Sequence, residues 1–421
     1  MCGFTGFLTP NQTLNASQAE STLIKMSNAL SHRGPDHQGI WIDSQRGIAL
    51  GHRRLSIIDL SSQGNQPMHS HCGRYVIAFN GEIYNYLCIR KELESFGAAP
   101  EWKGRSDTEI MLAAISYWGL LKAISKFVGM FAFALWDKEK KSLHLSRDRI
   151  GEKPLYYGWM GGVLLFGSEL KALRKHPAWK GEVDPDTLAL FMQYGYVPTP
   201  HSIYKNIFKV QPATIATFNQ NNISSLVLPT VETYWQAAKL SQEGEANPIL
   251  NDEATAIDHL DRLLEVSVKQ QMIADVPLGA FLSGGVDSST IVAYMQKQSS
   301  RPVKTFTIGF REENYNEAVY AKEVARHLGT DHTELYVSAE QAMEVIPKIP
   351  IIYDEPFSDS SQIPTYLISQ LTRKKVAVSL SGDGGDELFG GYNRYFWGSS
   401  IWGKIGKIPP QPRKVLAQVI S

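Results

Sequence analysis

Ser283-Gly284-Gly285-Val286-Asp287-Ser288-Ser289 stands between an apolar run, Val276 to Leu282, and a helix-like run, Thr290 to Met295. Strand, Gly/Ser loop and helix in that order turn backbone N–H groups and a helix N-terminus towards an anion. Gly284 and Gly285 let the backbone approach a phosphate closely, while Ser283, Ser288 and Ser289 add hydroxyl donors. Asp287 sets a carboxylate where Mg²⁺ would bridge nucleotide phosphates. No Gly-Lys-Ser/Thr closes the loop, so the pattern is not a Walker loop. The bland alternative is a Gly/Ser-rich turn that binds nothing. The strand and helix on either side favour the phosphate loop.

The pattern around this loop is an alternation of helix and strand. A helix is expected from Ala254 to Gln271, a strand from Val303 to Phe310, a helix from Glu317 to Leu328 closed by Gly329, and a strand from Val376 to Leu380. Such alternation means a parallel sheet with helices on both faces and ligands at the carboxyl ends of its strands. Ser381-Gly382-Asp383-Gly384-Gly385-Asp386-Glu387 follows the last of these strands, as the Ser-Gly-Gly loop follows the first.

The first ~195 residues read differently, as many short strands with few helices. Tyr75 to Phe79 runs into Asn80-Gly81, Gly129 to Trp136 is almost continuously apolar, and Gly162 to Gly167 is another apolar run. Helical spacing appears at Ala19 to Leu30 and Thr108 to Tyr117. Together they imply stacked sheets with helices outside. From Tyr194 to Pro248 the chain is rich in proline and amides, and Ser241 to Asn251 reads as its loosest linker.

A length of 421 residues suits two or three domains at ~150 residues each. Forty-two basic residues balance forty-two acidic ones, which argues against a broad nucleic-acid footprint. Three cysteines, Cys2, Cys72 and Cys88, are too sparse for a disulfide framework and fit a reduced, cytoplasmic setting. No apolar run is long enough to span a bilayer, and the N-terminus lacks the basic start of a signal peptide.

Cys2 follows Met1 directly, so removal of the initiator would give one residue both a thiol and a free amine of pKa ~8. Such an amine serves as general base for an N-terminal nucleophile. His32-Arg33-Gly34-Pro35-Asp36, His52-Arg53-Arg54-Leu55, Asn80-Gly81-Glu82-Ile83-Tyr84-Asn85 and Ser106-Asp107-Thr108-Glu109 follow in order. With Cys2 they resemble the class II glutamine amidotransferase domain, in which a thiolate attacks the glutamine side-chain amide and ammonia is released. The resemblance implies an oxyanion hole from the Asn80 side chain and the Gly81 N–H. It implies that Arg54 clamps the glutamine α-carboxylate while Glu82 and Asp107 hold its α-ammonium. Taken alone, Asn80-Gly81 also reads as a hairpin turn. His32 and Arg33 are expected only to support the loop around the thiol.

The Ser-Gly-Gly loop itself resembles the pyrophosphate loop of N-type ATP pyrophosphatases, and the two halves together resemble glutamine-hydrolysing asparagine synthetases. The implied fold is an αββα N-terminal nucleophile glutaminase over residues 1–210, a connection to about 250, and a parallel α/β ATP pyrophosphatase domain over 251–421. The implied substrates are glutamine, aspartate and ATP, with Mg²⁺. No nucleic acid or membrane partner is expected, and a homodimer is allowed. By matching positions, Leu282, Ser283, Gly284, Gly285, Val286, Asp287, Ser288, Ser289, Ile308, Gly309, Ser381 and Gly382 border ATP. Asp287 and Asp386 hold the metal, and Glu355 is the base that deprotonates ammonia. Family members usually continue past a segment like Gly390-Gly391-Tyr392 with a basic stretch that includes a lysine and an Arg-Pro-Phe motif. This sequence ends at Ser421, so an incomplete synthetase half is expected. Alternatives are an amidotransferase for another carboxylate such as a sugar acid, a glutaminase alone, and a non-enzymatic sensor of glutamine or ATP.

Overall fold

The structure, a computed structural model, describes residues 1–10, 13–220, 228–248, 252–310 and 316–420. They divide into two compact units, Met1–Pro277 with Glu340–Tyr366, and Leu278–Ala339 with Leu367–Ser421. The first unit therefore takes in a stretch of chain from far downstream.

Two six-stranded sheets build the first unit. One runs β10 (Ile207–Lys209), β8 (Tyr156–Met160), β9 (Val163–Gly167), β1 (Gly3–Leu8), β3 (Ile48–Arg54), β2 (His37–Asp43). The other runs β12 (Thr230–Thr233), β11 (Thr214–Asn219), β7 (Ser142–Arg147), β6 (Gly129–Asp137), β5 (Tyr75–Ile83), β4 (Met68–His69). Every pairing within them is antiparallel. Helices α1 (Ala16–Asn28) and α5 (Leu170–Leu173) lie on the first sheet. Helices α2 (Tyr86–Ser95), α3 (Asp107–Trp118) and α4 (Leu120–Lys126) lie on the second.

The apolar runs follow from this layering. Side chains alternate along a strand, so a strand covered on both faces must be apolar at every position. In β6, Ala132, Ala134 and Trp136 enter the core between the sheets, while Phe131, Phe133 and Leu135 enter the core under α2–α4. β1 divides the same way, Phe4 and Leu8 inward and Phe7 under α1. Each fully buried Phe or Leu stabilises the unit by about 1.5–3 kcal/mol.

Asn80-Gly81 is not a turn. β5 continues through both residues, with Asn80 opposite Ala132 and Gly81 opposite Phe131. Glycine is needed there for close approach. A Cβ on Gly81 would lie 2.2 Å from the Met130 carbonyl oxygen and 2.6 Å from the Phe131 Cα. The expected linker is also more ordered than its composition suggested. Helix α7 (Ala237–Ala246) occupies most of it, and residues 249–251 lie outside the described residues. Earlier in the chain, between α5 and β10, α6 (Pro185–Tyr194) is capped by Asp184 and ended by left-handed Gly195.

The first unit also holds α8 (Glu253–Gln271), α11 (Ala339–Met343, its first residue across the boundary) and α12 (Ile349–Ile352). The second unit is a four-stranded parallel sheet ordered β15 (Asp331–Val337), β14 (Lys304–Phe310), β13 (Leu278–Phe281), β16 (Val378–Leu380). Helices α9 (Val286–Gln298) and α10 (Ala318–Leu328) follow β13 and β14. Gly329 caps α10 in the left-handed conformation at φ 72°. Helices α13 (Gln362–Thr372), α14 (Gly385–Phe389), α15 (Asn393–Ile405) and α16 (Pro410–Ile420) complete the chain.

Candidate active site

The first site is a small pocket in the first unit, with a cavity volume of about 60 Å³. Cys2, Arg54, Asn80, Gly81, Glu82 and Asp107 all line it, together with Met1, Leu55, Gln66, Ser106, Met130 and Lys153. Strand pairing puts them there. Gly3 at the start of β1 pairs with Arg53 in β3, which sets Cys2 beside Leu55. The Cys2 thiol donates to the Leu55 carbonyl at 3.5 Å and accepts from the Leu55 N–H at 3.4 Å. Burial pushes this thiol up, and the Leu55 contact and nearby positive charge only partly offset it. A thiol held neutral needs a base to take its proton.

Asn80 is 1 % exposed, and neither its amide nitrogen nor its oxygen has a hydrogen-bond partner among the described residues. A buried amide left this way costs free energy, about 1–3 kcal/mol per unmade bond. A group that is expensive unpaired inside a pocket is suited to a ligand that pairs it. The adjacent His52 is fully buried against the Phe79 carbonyl, and burial lowers its pKa to about 3, so it stays neutral.

Two carboxylates share the pocket. Burial raises Glu82 to about 7, and the Asp107 charge adds to that effect. Asp107, the first residue of α3, is raised to about 6 by burial although it accepts the Ile83 N–H at 2.9 Å. Buried carboxylates like these gain when a cation enters beside them. Arg54 points its guanidinium at the 59–65 loop. It donates to the Ser61 carbonyl at 2.7 Å, the Asn65 side-chain oxygen at 2.9 Å and the Asp59 carbonyl. It therefore anchors the pocket wall as well as lining the pocket.

Sequence reasoning gave two residues here only supporting places. Arg33 donates from Nε to the Cys2 carbonyl at 2.8 Å, a direct hold on the Cys2 backbone. Lys153 is 6 % exposed, lines the pocket, and places its ammonium 3.0 Å from the Met1 sulfur. Arg33 sat in a quoted motif. Lys153 opens the run Lys153-Pro154-Leu155-Tyr156-Tyr157, which reads from sequence as a fold element, and only the fold brings it into the pocket.

Glu355 is not among the residues lining this pocket. It lies in the first unit, where its carboxylate accepts the Ile203 N–H at 2.8 Å and the Tyr156 hydroxyl at 3.2 Å and pairs with Lys209 at 2.7 Å. Both oxygens are engaged, so this carboxylate holds a structure together in the state described.

The second site is the loop from β13 to α9. The Ser283 and Ser288 hydroxyls lie 2.9 Å apart, and Ser288 Oγ accepts the Ser283 N–H at 3.2 Å. Gly284 takes a φ of 83°, and a Cβ there would meet Tyr320 Cβ and Ala321 N at 2.7 Å. Gly285 caps α9, so Val286, Asp287 and Ser288 bring unbonded N–H groups to its first turn. Because β16 pairs directly with β13, the loop that follows β16 meets this one. A Cβ on Gly382 would lie 2.8 Å from Ser288 N, and one on Gly385 would lie 2.3 Å from an Asp287 carboxylate oxygen. Gly391 gives similar room to Asp386, at 1.9 Å. Ser381 donates to Asp383 at 2.9 Å. Ile308 and Gly309 lie just before the end of β14, the other neighbour of β13.

Among the described residues, no helix is long and apolar enough to cross a membrane. Residues 1–235 match the family model of the glutamine amidotransferase domain, and residues 259–420 match that of asparagine synthase. The chain is 36% identical to asparagine synthetase [glutamine-hydrolyzing] 1 of Bacillus subtilis over 100% of this chain and 63% of that protein. It is 31% identical to asparagine synthetase B of Escherichia coli over 90% of this chain and 62% of the relative. A Methanocaldococcus jannaschii protein, provisionally named as such a synthetase, is 38% identical over 93% of this chain and 76% of its own length. The chain thus spans less than two thirds of the length of the two bacterial relatives. With an amidotransferase region followed by a synthase region, the chain belongs to the glutamine-hydrolysing asparagine synthetase family.

Proposed function

We propose that this protein hydrolyses glutamine at Cys2 and uses the ammonia to convert ATP-activated aspartate into asparagine, with glutamate, AMP and pyrophosphate as the other products. Residues 1–210, with a connection to about 250, carry the first half-reaction and residues 251–421 belong to the second. The observation that carries the reading is the gathering of Cys2, Asn80, Gly81, Glu82 and Asp107, distant in sequence, around one buried pocket.

With Met1 in place the Cys2 nitrogen is an amide, and Met1 itself lines the pocket. Its removal frees an amine that accepts the thiol proton as sulfur attacks the glutamine amide carbon. The oxyanion that forms takes hydrogen bonds from the Asn80 amide and the Gly81 N–H. Collapse expels ammonia, carrying the proton from the Cys2 amine, and leaves a thioester that water hydrolyses to glutamate. Glu82 and Asp107 hold the substrate α-ammonium, and Arg54 holds its α-carboxylate from the pocket wall.

In the second half-reaction the aspartate β-carboxylate attacks the α-phosphorus of ATP and pyrophosphate leaves. Ammonia then attacks the acyl carbon and AMP leaves. The Ser283–Ser289 loop and the first turn of α9 receive the phosphates, with Leu282, Ile308, Gly309, Ser381 and Gly382 around the nucleotide. Asp287 and Asp386, hard oxygen donors set in glycine-lined space, suit Mg²⁺, which would neutralise phosphate charge. Glu355, tied to Lys209, is best read as a positioning group.

The test is to incubate the processed protein with glutamine, aspartate and Mg-ATP and assay glutamate, asparagine, AMP and pyrophosphate. Formation of all four is expected. Glutamate without pyrophosphate would reduce the activity to a glutaminase. Pyrophosphate without asparagine would mean that aspartate is adenylated without receiving ammonia, and product formation only when a different carboxylate replaces aspartate would point to another acceptor.

A further inference from the structure

We propose that Asp354 is a positioning residue of the thiol site, acting through Lys171, Glu169 and Arg33 on the Cys2 backbone. This rests on the glutaminase half of the function proposed above. Asp354 lies in the region matched by the asparagine synthase model, yet it packs within the first unit.

The link is continuous. Arg33 Nε donates to the Cys2 carbonyl at 2.8 Å, and Arg33 Nη1 pairs with Glu169 at 2.7 Å. The other Glu169 oxygen lies 2.8 Å from the Lys171 ammonium and 3.1 Å from His32 Nε2. Lys171 reaches Asp354 twice, through its ammonium at 3.6 Å and its backbone N–H at 3.2 Å. It also donates to the Ile352 carbonyl at 3.0 Å. Next door, Glu355 is fixed by Lys209, Tyr156 and Ile203, so the dipeptide cannot drift from the sheet edge that holds it.

Charge balance explains why Asp354 matters to a carbonyl three side chains away. Two carboxylates, Glu169 and Asp354, face two permanent cations, Arg33 and Lys171, with His32 alongside. The side chains of Arg33, Glu169 and Asp354 are 9%, 13% and 7% exposed, so solvent screens their interactions weakly. Without the Asp354 charge, the Lys171 ammonium loses one of the two carboxylates that fix its place. Glu169, which Lys171 holds by its other oxygen, then loses its fixed orientation, and Arg33 loosens its hold on the Cys2 carbonyl. The position of the thiol relative to Asn80 then widens, which lowers turnover without altering the groups that bind glutamine.

The experiment measures glutamate release by the full chain with Met1 removed, in the absence of ATP and aspartate. The variants are Asp354→Asn, Lys171→Met, their double mutant and Asp354→Glu, with Lys205→Gln at the exposed Glu182 pair as control. A shift of about 1 Å at a reacting group can cost ~10²-fold, so a loosened relay is expected to lower kcat about tenfold in Asp354→Asn, with KM changed less than about twofold. The double mutant should be no slower than the slower single mutant, because both break one link. Asp354→Glu should recover most of the loss, and Lys205→Gln should match the wild type. An unchanged kcat in Asp354→Asn, a change confined to KM, or additive losses in the double mutant would overturn the proposal. If Asp354→Asn does not fold, Lys171→Met reads the same link from its other end, and an unchanged kcat there overturns it equally. A wild type that releases no glutamate would overturn the functional reading and this inference together. An active wild type with an indifferent Asp354→Asn would overturn this inference alone.

Discussion

The thiol pocket and the Ser-Gly-Gly loop solve opposite problems. The pocket is assembled from β1, β3, β5 and α3, and it holds its groups buried and under electrostatic tension: an unpaired amide, two raised carboxyls, a raised thiol. The loop is assembled from one β–loop–α segment and a neighbouring strand end, and it offers N–H groups, hydroxyls and space. A site that makes a nucleophile and stabilises charge in the transition state profits from low dielectric and fixed dipoles. A site that receives a polyanion profits from close backbone approach, which glycine provides.

The contrast is open to test, and the sharpest test is Cys2→Ala. Removing a nucleophile is expected to cut glutamate release by at least about 10⁴-fold. ATP binding by the second unit, measured by calorimetry, should be unchanged, and a joint loss would break the separation of the two sites.

Asn80→Ala is expected to lower kcat about 10²–10³-fold, the cost of removing one oxyanion donor. Because the Asn80 side chain has no partner to lose among the described residues, the melting temperature should not fall. A marked fall would mean that the amide is structural.

Gly284→Ala places a Cβ 2.7 Å from Tyr320 Cβ and Ala321 N at a φ of 83°. Strain of about 1–3 kcal/mol is expected, read as weakened ATP binding and a lower melting temperature of the second unit, with glutamate release unaffected. Equal damage to both activities would blur the distinction drawn here.

The smallest effect concerns pH. Glu82 has a raised pKa, about 7, and so it is protonated in the free pocket below that value and cannot pair with an ammonium. The KM for glutamine should therefore rise as pH falls through about 7, and Glu82→Gln should flatten that limb. Stability runs the other way. An acid whose folded pKa exceeds its unfolded one loses stability as pH rises between the two values, so Glu82→Gln should raise the melting temperature at pH 8 more than at pH 5.

Legibility in the sequence followed locality. The Ser283–Ser289 loop could be read because strand, glycines, hydroxyls and helix are contiguous. The strands of the first unit could be read because burial on both faces demands unbroken apolar runs such as Phe131 to Trp136. The reading failed at Asn80-Gly81, where a dipeptide with strong turn propensity sits in mid-strand, since β6 approaches so closely that only glycine fits. It failed again at Ser241–Ala246, polar yet helical in α7. At Glu355 the motif suggests a role in the ammonia-consuming step, and the fold adds its ties to Lys209 and Tyr156.

By itself, then, the sequence determined the chemical repertoire: a thiol after Met1, an Asn-Gly pair, acidic groups, and a Gly/Ser loop between strand and helix. Residue types and short spacings carry such information because each group's chemistry is its own. Tertiary structure alone decided which groups meet. It put Arg33 on the Cys2 carbonyl, Lys153 in the pocket and Asp354 beside Lys171, across separations of up to 183 residues. It also set the ionisation of Glu82 and Asp107, because burial and mutual repulsion are properties of a folded pocket and of no residue within it.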